Sequence, residues 1–256
     1  MSTPRFFVED PSQGRGVAAA AGLTVPLPAP AGHHARRVLR LRPQEPIVLF
    51  DGNGNEYAAA LLYDPLDAAG ALAQIHAAAA VDREARVAIT LVQALSAQDK
   101  IDWLIEKCVE LGVARVVLAP AERSVVRLDE GRRARRLERW RDIATAACAQ
   151  CGRNRVPQIL LASDLAAALR AVPEGSRRWL LEPQAPRGLG AAGEGGSGSA
   201  ALVCAVGPEG GFTAAEQAQA AALGYVAVRL GTRVLRTETA GLAAVAALLA
   251  LHGEYR

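Results

Sequence analysis

"AVGPEGGFTAAE", residues 205–216, joins an apolar run to the beginning of a helix. The run that leads into it, "ALVCAV", predicts a buried strand. Thr213 and Glu216 have the spacing of a capping box, in which two side chains satisfy the first free N–H groups of a helix. The proline and glycines between them fix one φ angle and remove side chains, which lets the backbone approach a ligand closely. The stretch therefore predicts a strand, a ligand-binding loop and a helix, in that order.

The same alternation of strands and helices extends on both sides of this stretch. The other strand candidates are "VAITLVQAL", "VARVVLAP", "QILLA", "RWLLEP" and "YVAVRL". For the helix after the first of these, Ser96 is the expected N-cap and Gly112 the expected stop. This alternation implies an α/β fold with a mostly parallel sheet and helices on both faces. Ligands bind such sheets at the carboxyl ends of the strands, where the two glycine-bearing loops 207–211 and 231–236 are expected to lie.

The first 75 residues or so show a different, β-rich pattern. "RFFV", "IVLF" and "EYAAALLY" are short strand candidates, and "DGNGN" at 51–55 is a strong hairpin signal. Residues 33–41 resemble a short basic helix. A small barrel with one or two helical turns fits this region, followed by a linker at 77–86. We therefore expect one domain at 1–76 and a second at 77–256. The Gly-, Pro- and Ser-rich segment 183–199 is expected to be a loop without an element.

Bulk composition favours a folded protein without a membrane segment. The sequence is 51% hydrophobic and 21% charged, which disfavours disorder of the whole chain. The N-terminus is too charged for a signal peptide, and the apolar run 240–251 is too short to span a bilayer. A cytoplasmic protein is expected. Cys148 and Cys151 form a C-x-x-C, which suits a redox pair, half a zinc site or one face of a helix; because no second pair exists, we interpret them as helix residues and expect no metal.

Positive charge is concentrated in one part of the sequence. Residues 123–155 contain ten arginines and four acidic residues, in a chain of formal net charge +3. A local basic field in a nearly neutral protein favours a polyanionic partner. The alternative is a solvated helix face.

The first loop is unsuited to phosphate. It has no Gly-Lys-Ser/Thr and contains an acid, Glu209, which would repel a polyanion. A backbone-lined wall suits an adenine ring or a sulfonium. The second loop, "LGTRVLRTETA" at 230–240, contains Arg233, Arg236 and Glu238. A purely structural interpretation is open here: Arg236 and Glu238 could form an exposed ion pair, and Thr237 could be a helix cap.

Taken together, these motifs resemble the small-subunit ribosomal RNA methyltransferase E family of the SPOUT superfamily. The two loops carry the most specific part of the resemblance. "PRFFV", "KIDWLIEKCVELGV", "AERSVVR" and "RWRDIATAACAQCGRNRVPQI" are similar to further family segments, so the resemblance covers most of the chain. The departures are a long segment at 183–199 and Cys151, where the family commonly has serine.

The resemblance implies a PUA-like β-barrel at 1–76 and a SPOUT methyltransferase domain with a trefoil knot at 77–256. It implies a homodimer that uses S-adenosylmethionine to methylate N3 of one uridine in the decoding region of 16S ribosomal RNA. In the knot, the segment from Ala240 onward would tuck under the second loop and pack in the dimer interface. The implied cofactor residues are Leu181, Glu182, Gly207, Glu209, Gly210, Gly211, Leu230, Gly231, Val234 and Leu235.

For the chemistry, Arg236 is the candidate to stabilise negative charge on the uracil oxygens. Glu238 is a candidate proton acceptor, or it orients Arg236. The candidate RNA contacts are Arg5, Arg36, Arg37, Arg123, Arg127, Arg132, Arg133, Arg153 and Arg155. The alternatives are a related knotted methyltransferase that acts on transfer RNA, another ribosomal RNA site or ribose hydroxyls, and a non-catalytic RNA-binding assembly factor. A nucleotide hydrolase is disfavoured by the missing P-loop lysine.

Overall fold

Two compact units make up the chain in the computed structural model. It describes residues 3–12, 14, 16–64, 70–126, 129–193 and 201–255. The first unit consists of Met1–Glu84 with Thr145–Val156, and the second of Ala85–Ala144 with Pro157–Arg256. The first unit thus takes up a short segment from the middle of the sequence. A boundary between residues 76 and 77 stays a prediction.

The first unit is built on a five-stranded sheet. Its order is β1-β3-β4-β5-β2, with a parallel β1–β3 pair and antiparallel pairs elsewhere. Phe6, Leu49, Tyr57, Leu61 and Ile75 are buried in its core. The strands are β1 (Arg5–Phe7), β2 (Thr24–Pro26), β3 (Pro46–Phe50), β4 (Asn55–Tyr63) and β5 (Ala71–Ala80), with a 3-10 turn (Val17–Ala20), α1 (Ala29–His33) and a π-helical turn (His34–Val38).

The predicted hairpin at 51–55 is confirmed. It joins β3 to β4, and the Asp51 carboxylate accepts hydrogen bonds from the backbone N–H of Asn53 at 2.8 Å and from Asn55 Nδ2 at 2.6 Å. Gly52 and Gly54 have φ angles of 77° and 107°, which other residues rarely adopt. The predicted linker at 77–86 is wrong for its first four residues. They belong to β5 and pair with β4, from Ala77 opposite Ala58 to Ala80 opposite Asn55.

An ion cluster fixes the segment 145–156 within the first unit. Glu56 accepts hydrogen bonds from Arg83 at 2.8 Å and from Arg5 and Asn154 at 3.2 Å. The hydrogen bond from Arg83, with help from Arg5 and Asn154, lowers the pKa of Glu56 from 4.5 to about 2. Separately, Arg153 forms an ion pair with Glu84 and is only 4% exposed.

Replacing Glu56 with glutamine is expected to destabilise the protein at neutral pH by about 1–2 kcal/mol. A carboxyl group whose pKa is lower in the folded state stabilises the fold above its unfolded pKa, and this contribution is lost as the pH falls from 4.5 towards 2. Denaturant unfolding at a series of pH values measures it, with the exposed Glu9→Gln as control. Parallel stability curves for the wild type and Glu56→Gln over this range would contradict the prediction.

The second unit has a six-stranded sheet in which every pair is parallel. Its order is β11-β9-β10-β6-β7-β8. This confirms the predicted α/β fold. The strands are β6 (Ala88–Ala94), β7 (Arg115–Ala119), β8 (Gln158–Leu161), β9 (Arg177–Leu181), β10 (Ala201–Val206) and β11 (Val226–Val228). The helices are α2 (Gln98–Glu110), α3 (Glu130–Cys151), α4 (Leu165–Arg170), α5 (Leu189–Gly193), α6 (Ala214–Ala222) and α7 (Thr237–Leu251).

Helix ends in this unit follow the sequence signals in part. Gly112 ends α2 with a φ of 85°, as predicted. Ser96 is not the N-cap, because α2 begins one residue later, after Ala97, and Ser96 is buried. The segment 183–199 was predicted to contain no element. It contains the five-residue helix α5, and residues 194–199 lie outside the described part of the chain.

Helix α7 begins directly after the second glycine loop and is apolar along most of its length. It packs against α2, α5, β6 and β10, and buries Ala244, Val245, Leu248 and Leu249. Over the described residues, no helix combines the length and apolarity needed to cross a membrane.

Candidate active site

The carboxyl ends of three neighbouring strands, β9, β10 and β11, surround a cavity of about 770 Å³ in the second unit. Both glycine loops contribute to its wall, as the sequence predicts for a parallel sheet. The structure brings all ten predicted cofactor residues together there. They are Leu181, Glu182, Gly207, Glu209, Gly210, Gly211, Leu230, Gly231, Val234 and Leu235.

The first loop is a tight turn that leads into α6. The N–H of Gly211 donates to the carbonyl of Pro208 at 2.9 Å, and Gly211 has a φ of 68°. At Gly207 a Cβ atom would lie 3.2 Å from the Phe212 ring, so a side chain there would displace the ring. The predicted capping box is confirmed, with Thr213 N–H donating to Glu216 at 2.8 Å and Glu216 N–H donating to the Thr213 hydroxyl at 3.3 Å.

Residues that follow β7 hold this loop in place. Arg123 donates to the carbonyl of Gly210 at 3.0 Å, and its side chain lies 3.2 Å from where a Gly210 Cβ would be. The N–H of Glu122 donates to Glu216 at 2.8 Å, and the Thr213 hydroxyl donates to Glu122 at 3.1 Å. The segment predicted to contact RNA therefore also positions the first loop.

A buried chain of hydrogen bonds joins the two loops. The Thr237 hydroxyl donates to the carbonyl of Gly207 at 2.6 Å and accepts from Gln93 Nε2 at 2.8 Å. Thr237 is therefore not the cap of α7. Gln93 belongs to β6. The sequence did not predict its role, because its partner Thr237 lies 144 residues away along the chain.

Glu182 directly follows β9 and lines the cavity beside the two glycine loops. One carboxylate oxygen accepts from the N–H of Gln184 at 3.1 Å, and the other accepts from Gln217 Nε2 at 2.9 Å. A carboxylate held in this way can accept hydrogen bonds from hydroxyl groups of a ligand and disfavours phosphate.

Lys100 is a charged residue of this cavity that the sequence interpretation missed. It lies in the first turn of α2, and its Nζ is 3.0 Å from Glu209 Oε1 and 3.7 Å from Glu238 Oε2. The hydrogen bond to Glu209 raises the pKa of Lys100. The first loop contains no lysine, yet the fold brings one to it from more than 100 residues earlier.

Arg236 and Glu238 occupy different environments. Arg236 is exposed and lines the cavity, whereas Glu238 does not line it and is 9% exposed. Glu238 pairs with Lys100, so the interpretation of an exposed Arg236–Glu238 pair is wrong. Glu238 Oε2 is buried and has no hydrogen-bond partner in the described part of the chain.

The candidate RNA contacts divide into exposed and internal arginines. Arg37 and Arg155 are exposed, Arg36 lies 4.1 Å from the centre of the Tyr63 ring, and Arg132 is 72% exposed beside Asp129. Arg133 donates to the carbonyl of Ala162 at 2.9 Å.

Arg5 and Arg153 were also predicted to contact RNA. The structure instead directs both inward, towards Asn154 and Glu56 for Arg5 and Glu84 for Arg153, so we leave them out of the proposed RNA surface. Arg127 lies outside the described residues.

The C-x-x-C pair lies on a helix, as predicted. Cys148 and Cys151 both belong to α3, and none of the four cysteines forms a disulfide. Burial raises the pKa of Cys148 to about 12, which makes its thiol a poor nucleophile or metal ligand. No group of three potential metal ligands occurs among the residues that the structure describes. The absence of a metal site stays a prediction.

Comparison with known proteins connects this site to a family. A family model described as an RNA methyltransferase domain matches residues 83–249, and an RNA methyltransferase PUA domain matches residues 27–63. Ribosomal RNA small subunit methyltransferase E from Mycobacterium bovis is 34% identical over 221 residues, which cover 85% of this chain and 82% of that protein.

Two solved structures are similar over nearly the whole chain. One is a ribosomal RNA small subunit methyltransferase E from Neisseria gonorrhoeae bound to S-adenosylmethionine, with 39% identity, 98% coverage of each chain and a TM-score of 0.85. The other is a Legionella pneumophila protein solved with S-adenosylmethionine as bound cofactor, with 29% identity, 98% coverage of each chain and a TM-score of 0.86. Sequence, domain content and fold thus agree, and the chain belongs to the ribosomal RNA small subunit methyltransferase E family.

Proposed function

We propose that this protein transfers a methyl group from S-adenosylmethionine to N3 of a uridine in 16S ribosomal RNA. The observation that carries the proposal is the single cavity formed by both glycine loops at the ends of β9, β10 and β11. Relatives named for ribosomal RNA methylation, one of them solved with this cofactor, support it.

The residues around the cavity fit S-adenosylmethionine better than a nucleotide triphosphate. The volume of about 770 Å³ lies within the range of small-molecule sites. Glycine residues of both loops line the cavity, and an adenine ring can pack against backbone that carries no side chains. Glu182 and Glu209 supply hydrogen-bond acceptors, which suit a ribose and a cationic ligand. The first loop lacks the Gly-Lys-Ser/Thr with which a P-loop binds phosphates. When bound, this cofactor supplies an electrophilic methyl group.

The role of the protein in the reaction follows from the acidity of uracil. N3–H is a weak acid, and after it ionises the negative charge spreads onto the two flanking carbonyl oxygens. Arg236, which lines the cavity, is the proposed donor to one of them. Glu238 remains a candidate proton acceptor, but since Lys100 lines the cavity and Glu238 does not, we favour a role for Glu238 in holding Lys100.

RNA would be held by the remaining candidate arginines, with the target base turned out of its helix to reach the cavity. The proposed contacts are Arg36, Arg37, Arg123, Arg132, Arg133 and Arg155. The family also suggests a homodimer with α7 in the interface, a knot formed by the segment from Ala240 onward, and a cytoplasmic location.

RNA affinity is expected to fall steeply with salt, because each phosphate contact releases counterions. Replacing exposed Arg37 with alanine should lower the slope of log affinity against log salt concentration by about one. The control is Arg170→Ala, at the exposed end of α4 away from the cavity. Binding titrations at several salt concentrations measure the slope. A salt-independent affinity would contradict the proposed surface.

One experiment tests the function. The purified protein is incubated with labelled S-adenosylmethionine and small ribosomal subunits that lack the modification, and the modified nucleoside is located by mass mapping. The proposal expects 3-methyluridine at one position of 16S ribosomal RNA. A methyl group on a ribose or on transfer RNA would favour a related knotted methyltransferase. A stoichiometric complex without cofactor binding would favour an assembly factor.

A further inference from the structure

Lys100 lines the cavity, but the proposed function gives it no role of its own. Its ammonium group lies at the cavity wall, within 3.0 Å of the Glu209 carboxylate on the first loop. On its other side, 3.7 Å away, is the buried Glu238 carboxylate at the start of α7. Elements from three parts of the sequence thus converge on this ammonium.

Glu238 has an unusual environment that points to a role for Lys100. Its Oε2 atom is buried without a hydrogen-bond partner in the described residues, and Lys100 is the cation with which it pairs. A buried carboxylate is costly unless a nearby cation compensates it. The same ion pair helps to hold the ammonium group of Lys100 at the cavity wall.

Lysine is rare in this chain, which makes its use here informative. Of the 29 lysine and arginine residues, only Lys100 and Lys107 are lysines. Lys107 lies two turns further along α2, where it pairs with Glu106 and Glu110, both at 2.7 Å. Lysine differs from arginine in presenting a compact point charge, which can fit between two carboxylates and still face a ligand.

Lys100 is expected to be protonated when the protein works. Its hydrogen bond to Glu209 raises its pKa, with a further contribution from Glu238, while the charge of Arg236 acts in the opposite direction. The group is therefore a cationic hydrogen-bond donor and not a proton acceptor. Lys100 and Arg236 both line the cavity.

We propose that Lys100 is a second catalytic residue. It donates a hydrogen bond to one carbonyl oxygen of the uracil anion, while Arg236 donates a hydrogen bond to the other carbonyl oxygen. This inference rests on the proposed function. In the reaction, the N3–H bond breaks and the proton passes to solvent. The N3 electron pair forms the new bond to the methyl carbon, and the electrons of the broken carbon–sulfur bond remain on sulfur. Two cationic donors match the two oxygens between which the charge is shared.

The test compares Lys100→Gln, Lys100→Arg and the matched control Lys107→Gln, which removes the same charge from the same helix outside the cavity. Single-turnover methyl transfer to small subunits is measured at saturating S-adenosylmethionine, with cofactor affinity measured separately by calorimetry. We expect Lys100→Gln to lower the rate roughly tenfold with cofactor affinity within about threefold of wild type. Lys100→Arg keeps the charge and should recover only part of the rate, because the larger planar guanidinium fits less well between the two carboxylates. Lys107→Gln should keep the full rate.

A second measurement separates a catalytic role from a structural one. Subunits reconstituted with 5-fluorouridine at the target position present a more acidic N3–H, which needs less stabilisation of its anion. The rate loss of Lys100→Gln should then shrink, whereas a merely misfolded or loosened site would lose the same factor with both substrates.

Three results would overturn the proposal. They are a Lys100→Gln rate within twofold of wild type, a loss of equal size with uridine and 5-fluorouridine, and a loss explained by weaker cofactor binding. If the wild-type protein itself does not methylate uridine N3, the proposed function fails, and the role of Lys100 fails with it. A wild-type protein that forms 3-methyluridine beside an equally active Lys100→Gln variant overturns only the inference on Lys100.

Discussion

Replacing Arg236 with alanine is expected to lower the rate of methyl transfer by roughly 10²- to 10³-fold while the protein still binds S-adenosylmethionine and RNA. Arg236 lies immediately before α7, at the point where the second loop meets the cavity. Its guanidinium can reach a ligand and remains charged at any working pH. Negative charge appears on the uracil oxygens only as the reaction proceeds, so losing the donor should affect the rate more than binding.

Single-turnover rates at saturating cofactor and RNA measure this effect. Arg236→Lys should recover part of the rate, because it restores the charge without the planar fork of arginine. Arg170→Ala controls for the loss of one positive charge elsewhere on the second unit. A wild-type rate in Arg236→Ala, with both ligands bound, would show that the anion is stabilised by another group.

The second large effect is expected at Gly231. Gly231 lines the cavity and has a φ of 74°, and a Cβ there would find no protein atom within 4 Å. A valine side chain at this position would occupy space that the cofactor needs. We expect Gly231→Val to raise the dissociation constant for S-adenosylmethionine on the order of 10- to 100-fold.

Gly224 provides a matched control for this substitution. It has a φ of 81° and equally open surroundings, but it lies between α6 and β11 and does not line the cavity. Gly224→Val should therefore lose a similar amount of stability from its strained backbone and keep cofactor affinity. Equal cofactor affinities in the two valine variants, measured by calorimetry, would contradict the assignment of Gly231 to the cofactor wall.

The sequence predicted those features whose signals are local. The capping box of Thr213 and Glu216, the hairpin at 51–55 and the helix stop at Gly112 each depend on residues within a few positions of one another. The convergence of the two glycine loops was also predictable, because strands of a parallel sheet end at the same edge.

The errors arose where distant residues decide the outcome. Lys100 reaches the first loop, and Gln93 reaches Thr237, across more than 100 residues, through the order of the parallel strands. Ser96 has the chemistry of an N-cap, but it is buried beside the end of β6. Charge counting along the sequence could not reveal that Arg153 faces Glu84, since only the folded chain places them together.

Calorimetry with the purified protein and two ligands, S-adenosylmethionine and ATP, tests most directly whether the two loops enclose a sulfonium site. Both ligands contain adenosine, so the comparison isolates the cationic methionine part from the triphosphate. The structure predicts stoichiometric binding of S-adenosylmethionine that weakens in Gly231→Val, and no measurable binding of ATP. Binding of ATP without binding of S-adenosylmethionine would contradict it.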